Sequence, residues 1–358
     1  MASQVAILRT RPETVVEDYG RLMRLVKYDR VLRRDQDLVL KLNLSWTKYF
    51  PACSSQPWQL DGVLRTLLED GFERARLFPV ENKTVVTNPL AGCRNNRWEP
   101  VLRRHGLPFI PLPDVEWIVY RFKSPLLRLN EIFPEGIEIP KMYVGKNVLQ
   151  LPTRKVHGHS VTTGAIKNAF GGLLKEVRHY AHEFIHEVMV DLMYMQRELH
   201  PRVFAVMDGT VMGDGAGPRT MVPRGGNLIL ASEDQVAIDE IAAKIMGFDP
   251  LAIPYLRMCA ERGLGTADPR NIELVGDVDA AAVGLGFTTR RSLVIWGDQL
   301  IRRGPLRPLK RLLLHSPLVV WAPFASNVYH DLLWYPTVGR ARIRAFAATP
   351  WGRLFQTY

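Results

Sequence analysis

The chain has 358 residues, 47% of them hydrophobic, which suffices for two domains or for one large domain with an appendage. Lys and Arg number 47 against 36 Asp and Glu, a formal net charge of +11. That balance suits an acidic partner (an anionic metabolite, nucleic acid or an anionic membrane surface), with general solubility as the plainer alternative. Cys53, Cys93 and Cys259 include no C-x-x-C pair, which argues against a disulfide framework or a four-cysteine metal or iron–sulfur site within the chain. No apolar run reaches the roughly 18 residues of a spanning helix, and the N-terminal stretch lacks the apolar core of a signal peptide, so a cytoplasmic location is expected.

Residues 1–145 read as an N-terminal α/β half. "DLVLKLNL" (37–44) has strand character, "WQLDGVLRTLLEDGF" (58–72) has helical spacing ending near Gly71, and "RARLFPV" (74–80) is the next strand. Strand–helix–strand order implies a parallel pair. "VLRRHGLPFIPL" repeats the pattern, and 120–140 reads as a connector. Residues 146–277 form a second α/β half. "NVLQLP" is a short strand, followed by "TRKVHGHSVTTGAIKNAFGG", a polar loop leading into a helix. Residues 181–199 read as a helix, and "RVFAVMDG" (202–209) as a strand ending at Asp208-Gly209. "GDGAGPR" reads as a glycine-rich loop and "GNLILAS" as a strand. Ser232 and Gln235 suggest a capping box, with Asp234 supporting the helix N-terminus. A helix from Asp249-Pro250 to Gly263 and the strand "RNIELVG" complete this half. Residues 278–358 mix basic residues, tryptophans and proline-broken apolar runs. They read as a helical appendage packing on the body or on a second copy, or as a contact with a membrane surface. The expected class is α/β: a mostly parallel sheet flanked by helices, with a C-terminal helical appendage.

Five segments occur in order: "LKLNL", "RKVHGHSVTTGAIKNAFGG", "VMDGTVMGDGAGPR", "LILASEDQVAIDEIAAKIMGFDP" and "GLGTADPRNIELVG". Together they resemble the domain of unknown function 362 family across roughly two thirds of the chain. The resemblance implies an α/β domain and leaves its chemistry open. Many members carry ferredoxin-type iron–sulfur segments, which this chain's cysteines cannot supply, so no iron–sulfur cluster is expected from it.

Lys41 and Asn43 are two apart in a strand and share a face. Lys155 follows "LQLP", and Lys167-Asn168 sits where a helix begins. Cations at strand ends in an open α/β sheet can hold a carboxylate or phosphate, and a desolvated lysine can act as base or nucleophile. Separate surface lysines are the simpler reading; the resemblance, which places these positions inside the family's motifs, favours a site. His157 and His159 face alike on an extended segment, as acid and base or as metal ligands. Asp208 could partner His157 or bind a metal, or could simply form an Asp-Gly turn. Backbone amides at Gly215 and Gly217 could form an anion nest.

"HEFIH" (182–186) matches the zinc-protease pattern H-E-x-x-H, and His179 adds a third histidine on that face. The extended motif would need glycine at Met189 and histidine at Leu192, and Glu187 follows the second histidine. A protease is therefore not expected; a structural or solvated role is the simpler reading of these helix histidines, with His159, His182 and His186 also candidate ligands of a divalent metal. The expectation is a cytoplasmic enzyme acting on a small anionic metabolite. His157, Lys167 and Asp208 would be catalytic, with Lys41, Asn43, Lys155, Asn168, Gly215 and Gly217 binding substrate. The alternative is a cofactor- or lipid-binding accessory protein docking on a membrane or partner enzyme through 278–358. A homo-oligomer stays open, and nucleic acid is not expected, because the basic residues are dispersed.

Overall fold

Residues 38–41, LVLK, are all buried, the signature of a strand covered on both faces. The structure, a computed structural model, describes residues 3–175, 181–302, 304–309, 312–313 and 321–358. Its strands are β1 (Ser3–Arg9), β2 (Leu38–Lys41), β3 (Leu77–Glu81), β4 (Ile110–Pro111), β5 (Trp117–Tyr120), β6 (Ile137–Pro140), β7 (Asn147–Gln150), β8 (Thr153–His157), β9 (Val161–Thr163), β10 (Val203–Ala216), β11 (Thr220–Ser232) and β12 (Ile272–Gly276). Its helices begin with α1 (Val15–Leu25), α2 (Tyr28–Val31), α3 (Pro57–Glu69), α4 (Pro89–Asn95), α5 (Trp98–His105) and α6 (Leu129–Ile132). They continue with α7 (Ala165–Leu173), α8 (Ile185–Leu199), α9 (Gln235–Met246), α10 (Pro254–Glu261) and α11 (Leu293–Arg302). Beyond these come Trp321–Asn327, a π-helical stretch Val328–Gly339, and the helices Arg340–Ala347 and Pro350–Thr357.

The main sheet runs β12-β1-β11-β10-β7-β2-β3-β4, with β8 paired to β10 and β9 to β8. Strands β10, β7, β2, β3 and β4 are mutually parallel, β11 is antiparallel to β10 and β1, and β1 is parallel to β12. The protein is thus α/β with a mostly parallel sheet flanked by helices. Strand alternation splits its residues between two cores. Leu38 and Leu40 join Tyr19 and Leu22 of α1 and Val63 and Leu67 of α3. Val39 joins Val80, Val148, Ile166 of α7 and Val188 of α8. A third cluster packs Ile238, Ile241 and Ile245 of α9 on Val5, Ile7, Ala205 and Met207. Each fully buried aliphatic side chain contributes about 1.5–3 kcal/mol relative to exposure.

Helix α3 starts on Pro57 and stops where Gly71 takes φ +89° and Phe72 N donates to Leu67 O, a left-handed exit suited to glycine. Residues 120–140 carry the small antiparallel pair β5–β6.

Several sequence expectations are corrected. The loop expected after "NVLQLP" is the β8–β9 hairpin followed by α7, because Val156 and the threonines of β9 pair across it. Strand β10 does not end at Asp208-Gly209. It continues to Ala216 as a twisted ribbon with β11, so "GDGAGPR" is largely strand. The cap of α9 is Asp234, whose Oδ1 accepts from Val236 N and Ala237 N, and Ser232 Oγ instead donates to Gln4 O. The α-helix expected from 181 begins at Ile185, after a short 3-10 turn at 181–184.

The region beyond 277 is built into the body. Trp334, Phe346 and Trp351 are buried in the same core as Trp46 and Trp58. Trp351 packs at a tilt against Trp58, 5.2 Å between ring centres, and Trp46 Nε1 donates to Asp331 at 2.8 Å.

Candidate functional site

From β2 the chain moves to β3 on one side and later returns to β7 on the other. That reversal opens a crevice beyond the C-terminal strand ends, where open α/β sheets bind ligands. A cavity of about 470 Å³ lies there. Its wall takes Lys41, Asn43 and Glu81 from the ends of β2 and β3, His157 and His159 from the β8–β9 turn, Lys167, Asn168 and Phe170 from α7, and His182. Ser292, Val294, Ile295, Asp298 and Arg302 close it from α11 and its N-cap, with Ser326 and His330 behind.

The register Lys41↔Val80 sets Lys41 beside the end of β3. Lys41 Nζ donates to Glu81 Oε1 at 2.7 Å and to the carbonyl of Leu42. Both side chains are almost fully buried. Glu81 Oε1 also accepts from Asn82 N, whereas Oε2 is buried without a hydrogen-bond partner among the described residues. Such a group is costly unless a ligand or water completes it.

Lys155 Nζ donates to Asn43 Oδ1 at 2.6 Å. Asn43 Nδ2 donates to Asn168 Oδ1, and Asn168 Nδ2 donates to Lys41 O and Gln150 Oε1. These side chains form one buried polar relay under the cavity. Lys155, 1% exposed, stands behind Asn43, outside the wall. Burial lowers its pKa to about 8.

His157 Nδ1 accepts from the amides of His159 (3.2 Å) and Ser160 (3.3 Å). Burial first, then the neighbouring Lys167, His159, His182 and Lys155, push its pKa well below the ordinary histidine value. The ring is therefore neutral at pH 7, and its proton sits on Nε2, because Nδ1 is the acceptor. His157 thus offers a hydrogen-bond donor, not a basic lone pair.

Asp208 lies away from this cavity. Its Oδ2 accepts from Tyr19 Oη at 2.7 Å and Trp58 Nε1 at 3.2 Å, on the face covered by α1 and α3. The strand continues past it, so Asp208 is an interior position, and the partnership expected with His157 is not formed. Burial raises its pKa to about 6, outweighing the hydrogen bonds from Tyr19, Thr210 and Trp58.

The anion nest expected at Gly215 and Gly217 is also corrected. Gly215 N donates to Thr288 O and Gly217 N to Gly215 O, so neither amide is available to an anion. Gly217, which lines the cavity, is required sterically: a Cβ there would sit 1.8 Å from Val156 O.

Of the histidines expected to hold a metal, His159 and His182 face each other with ring centres 5.5 Å apart. His186 instead stacks on Tyr255, outside the wall, since the α-helix begins only at 185 and the two HEFIH histidines do not share it. His179 lies outside the described residues. Among those residues no group of three or more His, Cys, Asp or Glu side chains forms a metal-holding set.

Among the wall residues that were not anticipated are Glu81 and Arg219. Glu81 was accessible in principle, since the 37–80 strand–helix–strand unit brings the ends of β2 and β3 together. Arg219 follows the β10 strand with no sequence signal. It donates to Ser326 Oγ at 3.5 Å and makes no ion pair among the described residues. Burial lowers its pKa from the ordinary arginine value.

Helix α11 is held against the β8–β9 turn. Ser292 caps it through Ile295 N, Gln299 Nε2 donates to Gly158 O at 3.2 Å, and Ile295 fills the space a side chain at Gly158 would need. Asp298 lies 3.5 Å from His159 Nε2 and pairs with Arg302 at 2.9 Å.

The family model described as "Domain of unknown function (DUF362)" matches residues 38–244. A thylakoid-associated protein of Synechocystis sp. is 29% identical over 180 residues, covering 48% of this chain and 51% of that protein. The chain therefore spans about half the length of the curated relative it matches. Among solved structures, the lactate racemase apoprotein of Thermoanaerobacterium thermosaccharolyticum aligns over 66% of this chain and 55% of its own. At 12% identity and a TM-score of 0.40, that likeness carries no functional argument.

Proposed function

The chain belongs to the DUF362 family, and we propose that it is an enzyme acting on an anionic metabolite, carboxylate- or phosphate-bearing, by acid–base chemistry at the strand-end cavity. The observation that carries this reading is Arg219, a partly desolvated guanidinium in the wall without a carboxylate ion-pair partner among the described residues. Its planar fork matches carboxylate and phosphate oxygens. Lys167 adds positive charge, and the Nε2–H of His157 donates to the bound anion or to charge developing on it. Glu81 Oε2 is the proton acceptor; Lys41 fixes the carboxylate through Oε1 and leaves Oε2 toward the substrate.

The test combines ligand-observed NMR on a panel of carboxylates and phosphate monoesters with deuterium exchange in heavy water. R219Q should weaken anion binding at least tenfold, in line with about 1.5–3 kcal/mol for a hydrogen bond to a charged group. K41M/E81Q, which removes both charges together, should bind anions but lose exchange. Equal binding by wild type and R219Q would refute the assignment.

A second reading, an accessory protein docking on a membrane, is favoured by exposed Leu293, Trp296, Phe324, Leu332 and Leu333 and by the thylakoid association in the relative's name. No helix among the described residues is long and apolar enough to cross a membrane. Liposome flotation of wild type and W296E separates this reading; equal absence of binding would remove it.

A further inference from the structure

We infer that the anion bound in this cavity carries an extended apolar body, so that the substrate is an amphiphilic carboxylate or phosphate. This rests on the anion-binding reading above and narrows it. Four polar wall residues lie deep: Lys41, Glu81, His157 and Asn168 are all buried. The most exposed wall residue is aliphatic, and the partly exposed wall mixes Val86 and Val294 with His159, Lys167, His182 and Arg219. Val85, on the loop after β3, is 45% exposed, and Val294 of α11 is partly exposed. Beside Val294, Leu293 and Trp296 are 67% and 53% exposed and lie one turn apart on α11. The apolar wall residues Val85, Val86, Val294 and Ile295 therefore offer a surface for an apolar body beside the polar groups.

The volume agrees. A cavity of about 470 Å³ falls in the roughly 300–1,000 Å³ range that encloses drug-sized ligands. A short-chain acid alone would leave much of it to water against the apolar part of the wall, Leu44, Val85, Val86, Phe170, Val294 and Ile295. An apolar chain displaces that water and gains hydrophobic stabilisation.

The test is calorimetric titration of the full chain with two homologous series, acetate to decanoate and methyl to decyl phosphate, each kept monomeric. Affinity should rise about fourfold per methylene where the chain is enclosed, from the transfer free energy of a buried CH₂, and then plateau. V85N/V294N should lower that slope. R219Q should lower affinity along both series while retaining the slope. Competition by vesicles containing phosphatidate would assign the amphiphile to a membrane lipid, and no competition would assign it to a soluble one. Binding of short anions with no dependence on chain length overturns the inference and leaves the anion site standing. No binding of either series at any length overturns both.

Discussion

Replacing Glu81 by Gln removes one charge of the buried Lys41–Glu81 pair. At 2.7 Å and an effective dielectric constant near 20, the attraction is about 6 kcal/mol. The desolvation of two ions offsets much of it, because each buried charge costs several kcal/mol. The pair as a whole contributes little net stability, but breaking it leaves Lys41 charged and buried beside a neutral amide. E81Q should therefore lose about 3–5 kcal/mol. K41M/E81Q, which leaves no unpaired charge, should recover most of that loss. Urea unfolding of wild type, K41M, E81Q and the double variant gives the coupling free energy directly. Single variants within about 0.5 kcal/mol of wild type, the range of ordinary surface changes, would show that the pair is not buried as described.

Asp208 makes stability pH-dependent. Its folded pKa of about 6 lies above its ordinary value of 3.8. The native state keeps a proton that the unfolded chain releases, so this contribution is lost as pH rises from about 4 through 6. Wild type should lose about 3 kcal/mol relative to D208N between about pH 3 and about pH 7, and a pH-independent difference between the two unfolding curves would contradict it. D234A removes the cap of α9 and should cost at least 1–2 kcal/mol, because Asp234 also accepts from Ser3 and Thr266; S232A should cost less in the same assay. W351A should cost about 3–5 kcal/mol, since Trp351 is 5% exposed against Trp58. A thermal midpoint unchanged in W351A would mean the C-terminal helices are not part of the core.

Much of the architecture was legible from local pattern. Residues 37–80 encode strand, helix and strand through aliphatic runs, helical spacing and the Gly71 exit, and this order alone implies the parallel β2–β3 pair. Of the residues expected in one site, Lys41, Asn43, His157, His159, Lys167, Asn168, His182 and Gly217 line the cavity, whereas Lys155, Asp208, Gly215 and His186 do not. Their roles were not legible, because roles depend on partners far away in sequence. Lys41 is tied to Glu81, Asn43 to Lys155, and His157 Nδ1 to two amides. Asp208 illustrates the limit. An Asp-Gly pair reads locally as a turn, but pairing with β11 carries the strand through it and turns the carboxylate toward Tyr19 and Trp58. Arg219 and α11 enter the site through the β10–β11 ribbon and the docking of α11 on Gly158, contacts that no local periodicity records. Period and caps belong to neighbouring residues and are written in the sequence itself. Which face a side chain presents, and what it meets there, is decided by non-local strand pairing and helix docking.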